Sequence, residues 1–225
     1  MPHKRSRPLV DIPTSAANDR LSIFLERVRG KTVLDLGCSA TKLGISHSRH
    51  QYLHHALARE AKEILGVDID ENAVAAMKAA GFNVQAADVE TMDLGRRFQV
   101  IVAGDIIEHL PNPGLFLKNM LRHLEDGGEL LITTPNPFKF KQVLKILKYN
   151  QVKVHAEHTC WICPTVLKRL LETCGFKMIH LFWIRDSGWY HTSQWPAFLR
   201  PYWSPSFLSV AKKELVSSEF WGHHT

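Results

Sequence analysis

The sequence lacks the features on which membrane-spanning and secreted proteins depend. No apolar run among its 225 residues is long enough to cross a bilayer, and the basic N-terminal residues 1–8 contain no apolar core of a signal peptide. Only four cysteines are present, which fits a reducing compartment. Cys160 and Cys163 form a CxxC pair, but the second pair of a structural zinc site is missing. We therefore expect a cytoplasmic protein without a transmembrane segment.

Dense charge of one sign is also absent. Lys and Arg number 28 against 22 Asp and Glu, and the net charge of +6 is spread over an N-terminal arm and single lysines such as Lys139 and Lys145. This pattern indicates a solvated basic face, and no separate basic domain or RNA-binding motif points to nucleic acid. We expect a small-molecule partner, and a homo-oligomer is compatible with the sequence.

Strand and helix patterns alternate through residues 19–134. Buried apolar strands are predicted at residues 31–36, 66–69, 83–87, 98–104 and 129–134. The amphipathic helices between them indicate an α/β fold, with a mostly parallel sheet and helices on both faces. Residues 1–18 are expected to form a flexible basic arm. Residues 19–225 are expected to form one domain whose C-terminal region, about 138–205, caps the acceptor side.

Two of the apolar runs end in an acid, at Asp35 and Asp68, and in a parallel sheet both acids reach the edge where ligands bind. Residues 37–44 (GCSATKLG) lack the middle glycine of a dinucleotide-binding loop, and Asp68 lies farther downstream than such a site requires. The Asp35 carboxylate repels a pyrophosphate but attracts the sulfonium and amino groups of S-adenosylmethionine. Asp68 can accept two hydrogen bonds from a ribose diol. The pattern argues against a nicotinamide cofactor and for S-adenosylmethionine.

An ordered set of motifs resembles the class I S-adenosylmethionine-dependent methyltransferases over residues 33 to about 176. The matching segments are residues 33–38, 67–70, 87–89, 98–110, 126–128 and 133–136. The resemblance implies a Rossmann-like methyltransferase fold with a seven-stranded, mostly parallel sheet and a final antiparallel strand near residues 207–210. It also implies a set of cofactor-binding residues at the strand ends. These are Asp35, Gly37, Cys38, Ser39, Asp68, Ile69, Asp88, Val89 and Asp105.

The loop after the first strand departs from the Gly-Cys-Gly-x-Gly pattern of the family, because Ser39 and Thr41 replace the later glycines. A catalytically inactive protein that binds the cofactor is therefore an alternative to an enzyme. Farther on, His50 and His54 have the i, i+4 spacing of metal ligands. No carboxylate is placed beside them in the sequence, so we expect surface histidines.

Residues 105–109 (DIIEH) follow the fourth strand, where the activated methyl group is expected to point. In one interpretation His109 is a general base oriented by a carboxylate. In a second, Asp105, Glu108, His109 and a remote histidine (His155 or His158) bind a divalent cation. This set resembles the Glu-x-x-Glu-His plus His pattern of small-RNA 2′-O-methyltransferases and ubiquinone-biosynthesis O-methyltransferases. In a third, the segment is structural.

We expect His109, Glu108 and His158 to be the catalytic residues, and we favour a mechanism without a metal. The expected reaction is in-line methyl transfer to an oxygen of a small molecule or of a glycan or metabolite precursor, because Glu108 and His109 offer proton removal. An RNA 2′-O-methyltransferase is a further alternative.

Overall fold

The structure is a computed structural model that describes residues 12–17, 19–39, 50–150, 152, 154–185 and 204–214. Most of the expected N-terminal arm, Thr41 and residues 186–203 of the expected cap lie outside these residues. The strands are β1 (Thr14–Ala17), β2 (Thr32–Leu36), β3 (Glu63–Asp68), β4 (Val84–Ala86), β5 (Phe98–Gly104), β6 (Leu124–Pro135), β7 (Phe176–Ile184) and β8 (Ser206–Lys213). The helices are α1 (Arg20–Val28), α2 (His50–Glu60), α3 (Glu71–Ala79), a 3-10 turn (Ile107–His109), α4 (Pro113–His123), α5 (Phe140–Tyr149) and α6 (Pro164–Thr173).

The described strands form one sheet in the order β1-β7-β8-β6-β5-β2-β3-β4. β8 runs antiparallel to both of its neighbours, and every other neighbouring pair is parallel. The predicted α/β class and the final antiparallel strand are therefore confirmed. The chain winds outward from β2 to β4 and then returns to β5 on the other side of β2, which creates a crevice between the ends of β2 and β5.

Helices cover both faces of this sheet. Val33 belongs to an apolar cluster that contains Phe24 of α1 and Leu57 of α2. The next residue, Leu34, belongs to a second cluster that contains Phe116 of α4. Because successive side chains of a strand point to opposite faces, α1 and α2 lie on one face and α4 on the other. None of the described helices is long and apolar enough to cross a membrane.

The expectation that residues 1–18 form a loose arm is wrong for its last part, since β1 pairs in parallel with β7 at the sheet edge. The hydroxyl of Ser15 also lies 2.8 Å from Nε2 of His180, which is 165 residues farther along the chain. The described residues therefore contain eight strands rather than the predicted seven. A four-residue edge strand of small side chains carries no detectable periodicity, and a distant strand decides its pairing.

Two other boundaries differ from the prediction. β6 begins at Leu124, which pairs with Phe98, while Glu129 pairs with Val100, so that residues 125–128 bulge out of the ladder. Within the expected cap, α6 packs in the same cluster as α4, and β7 belongs to the sheet. The part of this region that borders the acceptor side is α5 together with the following segment up to about residue 162.

Candidate active site

The predicted site residues meet at one edge of the sheet. β5, β2 and β3 are parallel neighbours, so their carboxyl ends lie side by side. The glycine turn follows β2, Asp68 ends β3, and Asp105 follows β5. The topology therefore brings together three segments that are separated by more than 30 residues each along the chain.

The glycine turn after β2 is held against β3. The N–H groups of Gly37 and Cys38 donate to the carbonyl oxygen of Val67 over 2.8 and 3.3 Å. Gly37 has a φ of 68°, and a Cβ added to it would lie 3.4 Å from Cδ1 of Ile106. The Cys38 thiol is buried, and burial raises its pKa above the usual range. The backbone of Cys38, rather than its side chain, is thus the part available to a ligand.

Asp68 is oriented by backbone donors from two segments. Its two carboxylate oxygens accept from the N–H of Asp70 at 3.0 Å and from the N–H of Ser39 at 2.9 Å. The adjacent Ile69 has an exposed side chain at the same edge. An oriented carboxylate beside an exposed apolar side chain is suited to bind a sugar and a ring of one ligand.

Asp88 lies in a turn after β4. Its exposed carboxylate accepts from the N–H of Glu90 at 2.9 Å. The side chain of Val89 is buried, and its carbonyl oxygen accepts from Nδ2 of Asn119 at 3.1 Å. A ligand contact with Val89 would therefore use its N–H group.

Asp35, in contrast, is buried beneath this edge. It shares the sheet face of Val33, which is covered by α2, and its Oδ2 lies 2.8 Å from Nδ1 of His54. Both side chains are buried, so the expectation of a surface histidine without a neighbouring carboxylate is wrong for His54. Nε2 of His54 is also buried and has no hydrogen-bond partner among the described residues.

Gly66 in β3 makes room for this buried pair. A Cβ at Gly66 would lie 2.8 Å from Cε1 of His54 and 2.8 Å from Sγ of Cys38. Sequence reasoning missed the pair, although a glycine inside a buried strand is a signal that another group approaches the backbone closely.

Asp105 turns away from the residues expected to converge with it. Its φ is 52°, which is uncommon for a residue other than glycine. Its carboxylate forms an ion pair with Arg20 of α1 and accepts from the hydroxyl of Thr133 at 3.0 Å. The predicted grouping of Asp105 with Glu108 and His109 as ligands of one cation is therefore wrong for Asp105.

Glu108, His109 and His158 do come together. Each offers one potential ligand atom, and these atoms lie within 4.8 Å of one another. The ring centroids of His109 and His158 are 4.7 Å apart. Nδ1 of His109 lies 3.2 Å from the carbonyl oxygen of Glu157 and must donate to it, so that Nε2 of the neutral ring has the free lone pair.

Two threonines that the sequence did not single out hold this cluster together. The hydroxyl of Thr134, in β6, donates to Oε2 of Glu108 at 2.9 Å. The N–H of Thr159 donates to the carbonyl oxygen of Glu108 at 2.9 Å, and its hydroxyl donates to that of Leu110 at 2.8 Å. Thr159 therefore fastens the segment that carries His158 to the residues that follow β5.

Burial sets the protonation states of the cluster. Desolvation, with a further contribution from the charge of Asp105, raises the pKa of Glu108 to about 8. Desolvation lowers the pKa of both His109 and His158, and the neighbouring His109 lowers that of His158 further. At neutral pH Glu108 thus holds its proton, and the two imidazoles are mostly neutral.

A cavity of about 300 Å³ lies beside the cluster. Glu108, Thr134 and His158 contribute polar groups to its wall, and Val154 and Trp161 contribute apolar surface. His109 is not among the lining residues of the described chain. Convergent polar groups in a partly apolar cavity are typical of a small-molecule site.

Comparisons with known proteins identify the family of this chain. A family model described as a methyltransferase domain matches residues 8–181. A ubiquinone biosynthesis O-methyltransferase of Coxiella burnetii is 29% identical over 167 residues, which cover 68% of this chain and 67% of the relative. A protein of the same name from Nitrobacter winogradskyi is 30% identical over 124 residues, which cover 52% of this chain and 44% of the relative.

A solved structure shows the same fold. The S-adenosylmethionine-dependent methyltransferase from Archaeoglobus fulgidus has a TM-score of 0.61 and 19% identity, with 86% of this chain and 91% of that chain covered. The family model extends over most of the chain and includes both the strand ends near Asp68 and the cluster of Glu108, His109 and His158. The chain therefore belongs to the class I S-adenosylmethionine-dependent methyltransferases, and it is an enzyme of that family with the Rossmann-like fold.

Proposed function

We propose that this enzyme transfers the methyl group of S-adenosylmethionine to an oxygen atom of a small molecule bound in the cavity beside Glu108. The observation that carries the proposal is the cluster of Glu108, His109 and His158 at this cavity, because a hydroxyl acceptor must lose its proton. A neutral amine can attack before it loses a proton, so it needs less help. The names of the Coxiella and Nitrobacter relatives, both O-methyltransferases, support the same reaction class.

The cofactor lies along the edge formed by the ends of β2, β3 and β4. Asp68 accepts from the ribose hydroxyls, Asp88 accepts from the adenine amino group, and the Val89 N–H donates to the adenine ring. Ile69 packs against that ring, and the backbone of residues 37–39 faces the methionine part. Asp35 is buried beneath this edge and paired with His54, and Asp105 is a further predicted contact at the end of β5.

The proton of the acceptor goes to His158. The acceptor oxygen attacks the methyl carbon in line with the breaking C–S bond, and S-adenosylhomocysteine leaves as a neutral thioether. His158 lines the cavity and is neutral at pH 7, whereas Glu108 is already protonated at that pH. His109 does not line the cavity, so its role is to position His158 through the edge-on contact of the two rings.

A divalent cation is a second candidate aid to the same reaction, and the geometry of the three potential ligands favours it. Glu108, His109 and His158 supply one oxygen and two nitrogen atoms, a donor set that several divalent transition metals accept. The hydrogen bond from Nδ1 of His109 to a backbone carbonyl oxygen is typical of a metal-binding histidine, because it directs Nε2 at the ion. A bound cation would lower the pKa of an acceptor hydroxyl.

The experiment compares matched acceptors. Purified enzyme with S-adenosylmethionine is given catechols and phenols, each paired with the corresponding aniline, and release of S-adenosylhomocysteine is measured. Each reaction is run as purified, after chelation with EDTA, and after Mn²⁺, Zn²⁺ or Mg²⁺ is restored. We expect methylation of hydroxyl acceptors and little or none of the anilines.

Methylation of anilines with inert phenols would contradict oxygen transfer. Tight binding of S-adenosylhomocysteine without turnover of any acceptor, in any metal condition, would favour the inactive cofactor-binding alternative. Loss of phenol methylation in EDTA with recovery on addition of a metal would assign the cluster to cation binding rather than to His158 as a base.

A further inference from the structure

Exposed large apolar side chains are concentrated in one region of the described chain. Of the ten such residues, eight lie between residues 138 and 166. They are Phe138, Leu144, Leu147, Tyr149, Val152, Val154, Trp161 and Val166. Single exposed apolar residues are ordinary, but a contiguous group marks a surface that contacts something other than water.

Two leucines of helix α5 face outward, whereas its other aliphatic side chains, Val143 and Ile146, are half-buried. Leu147 is 77% exposed and Leu144 is 46% exposed, whereas the polar Gln142 is only 5% exposed. At about 100° per residue, Leu144 and Leu147 share one side of the helix and Gln142 lies on the other. A helix that packs on a globular core does the reverse and buries its apolar stripe. The orientation of α5 therefore favours an external apolar partner.

The same region is basic. Residues 137–156 contain five lysines and no Asp or Glu. Lys145 and Lys148 are exposed on the helix, and none of the ion pairs between described residues involves either of them. Nζ of Lys148 lies 5.0 Å from the ring centroid of Tyr149. Lysines beside outward leucines and aromatic residues are the pattern of a helix that lies in the interface of an anionic bilayer.

The lysines and leucines of α5 also argue against two other binding partners for this surface. A second copy of this chain would bring two sets of lysines together without a compensating acid. A nucleic acid would match the lysines but would leave Leu144 and Leu147 without an apolar partner.

The surface continues into the acceptor cavity. Val154 and Trp161 are exposed, and both also line the cavity, as does Lys139 at the start of α5. Tryptophan is enriched where protein meets the boundary of a membrane. A bilayer that covered α5 would therefore also lie beside the cavity.

We propose that the α5 surface, formed by Phe138, Leu144, Leu147 and the neighbouring Lys145 and Lys148, docks this enzyme on an anionic lipid bilayer. α5 lies in the plane of the interface, with its leucines among the acyl chains and Lys145 and Lys148 at the phosphate groups. An amphiphilic acceptor then reaches the cavity from the bilayer, a consequence that rests on the proposed methyl transfer.

The test measures co-sedimentation of the full chain with vesicles of phosphatidylcholine alone and of phosphatidylcholine mixed with phosphatidylglycerol, at low and high salt. We expect binding to the mixed vesicles that weakens with salt. Lys145→Gln with Lys148→Gln should lower the partition coefficient about 10–30-fold. Leu144→Glu with Leu147→Glu should abolish binding.

Matched controls lie on other helices. Leu115 in α4 is as exposed as Leu144, so Leu115→Glu tests for a general effect of an added acid. Lys78→Gln with Lys118→Gln removes two exposed lysines from α3 and α4. These variants should bind the mixed vesicles as the unmodified chain does.

Absence of binding, equal binding to both kinds of vesicle, or equal losses in the control variants would overturn the proposal. If residues 186–203 or a second copy covered this surface instead, the leucine variants would lower the melting temperature or change the sedimentation coefficient, and vesicle binding would be absent from the start. Calorimetric titration with S-adenosylhomocysteine reports whether each variant is folded. Vesicle binding needs no turnover, so its failure is distinguishable from failure of methyl transfer.

Discussion

The cofactor side and the acceptor side of the cleft are held together in different ways. On the cofactor side, Asp68 and Asp88 each accept a hydrogen bond from the N–H two residues farther along the chain, and Asp68 also accepts one from the N–H of Ser39, 29 residues away. On the acceptor side, Glu108 accepts hydrogen bonds from Thr134 and Thr159, which lie 26 and 51 residues away. His109 forms a hydrogen bond with the carbonyl oxygen of Glu157, 48 residues away. The side chains assigned to the cofactor are thus oriented by backbone N–H groups of the turns that follow the strands. The residues assigned to the acceptor are held instead by a side chain of β6 and by a separate segment that contacts the residues after β5.

This difference has a functional consequence. The segment that carries His158 is separate from the turns assigned to the cofactor, so we expect its sequence and shape to vary without altering those turns. A family that uses one cofactor for many acceptors can vary in this way, because the site for each ligand is built from different parts of the fold.

The largest expected effect is on turnover, when a residue of the acceptor side alone is replaced. His158→Ala removes the group that accepts the proton, or one ligand of a cation, and should lower kcat about 10²–10⁴-fold. The dissociation constant of S-adenosylhomocysteine should stay the same, because His158 lies outside the cofactor edge. Steady-state kinetics and calorimetry on the same preparation measure both quantities.

His180→Ala is the matched control, since His180 is bonded to Ser15 at the far edge of the sheet. Cofactor affinity that fell in parallel with turnover would show that the two sides are not separable.

A smaller effect concerns the free energy of unfolding and its dependence on the charge of Glu108, on the acceptor side. The folded state raises the pKa of Glu108 from 4.5 to about 8, so it retains a proton that the unfolded chain has lost between these values. Stability therefore falls as pH rises through this window. In the Glu108→Gln variant, the loss of unfolding free energy between about pH 5 and about pH 9 should be smaller by on the order of 3 kcal/mol, as measured by urea unfolding at both pH values.

Glu26→Gln, at an exposed position of α1, should leave the pH dependence unchanged. An equal pH dependence in the Glu108→Gln variant and the unmodified chain would show that Glu108 is already ionised in the folded state.

The smallest expected effect tests the cofactor side. Asp68→Ala removes the carboxylate assigned to the ribose and should weaken binding of S-adenosylhomocysteine by about 1–3 kcal/mol. Asp70→Ala is the control, because Asp70 accepts from Asn72 and Ala73 at the start of α3, so its loss should affect stability rather than affinity. Calorimetry that found equal affinity in Asp68→Ala and the unmodified chain would overturn the ribose assignment.

The sequence predicted most of the central sheet because its signals are local. β5 lies at the predicted residues 98–104, and α3 begins at Glu71 as expected. Apolar runs and turn residues are confined to a few neighbouring positions, so a strand and its terminal acid can be recognised without knowing the fold. The glycine turn at Gly37 is another local signal of this kind.

Pairings between distant segments could not be predicted in this way. The partnership of Asp35 with His54, the bond of Thr159 to Glu108 and the addition of β1 to β7 all join residues with no shared local pattern. Asp105 is instructive, because its spacing from Glu108 suggested convergence, but a left-handed backbone conformation and an ion pair with Arg20 direct it elsewhere.

By itself, the sequence determined the α/β architecture and predicted which acids end or follow its strands. Strand periodicity and the turn that follows each strand are properties of consecutive residues. Only the tertiary structure decided which histidines meet Glu108, that His54 is buried and that α5 turns its leucines outward. These outcomes depend on the packing of segments that are far apart along the chain, where burial and close contact shift pKa values and select hydrogen-bond partners.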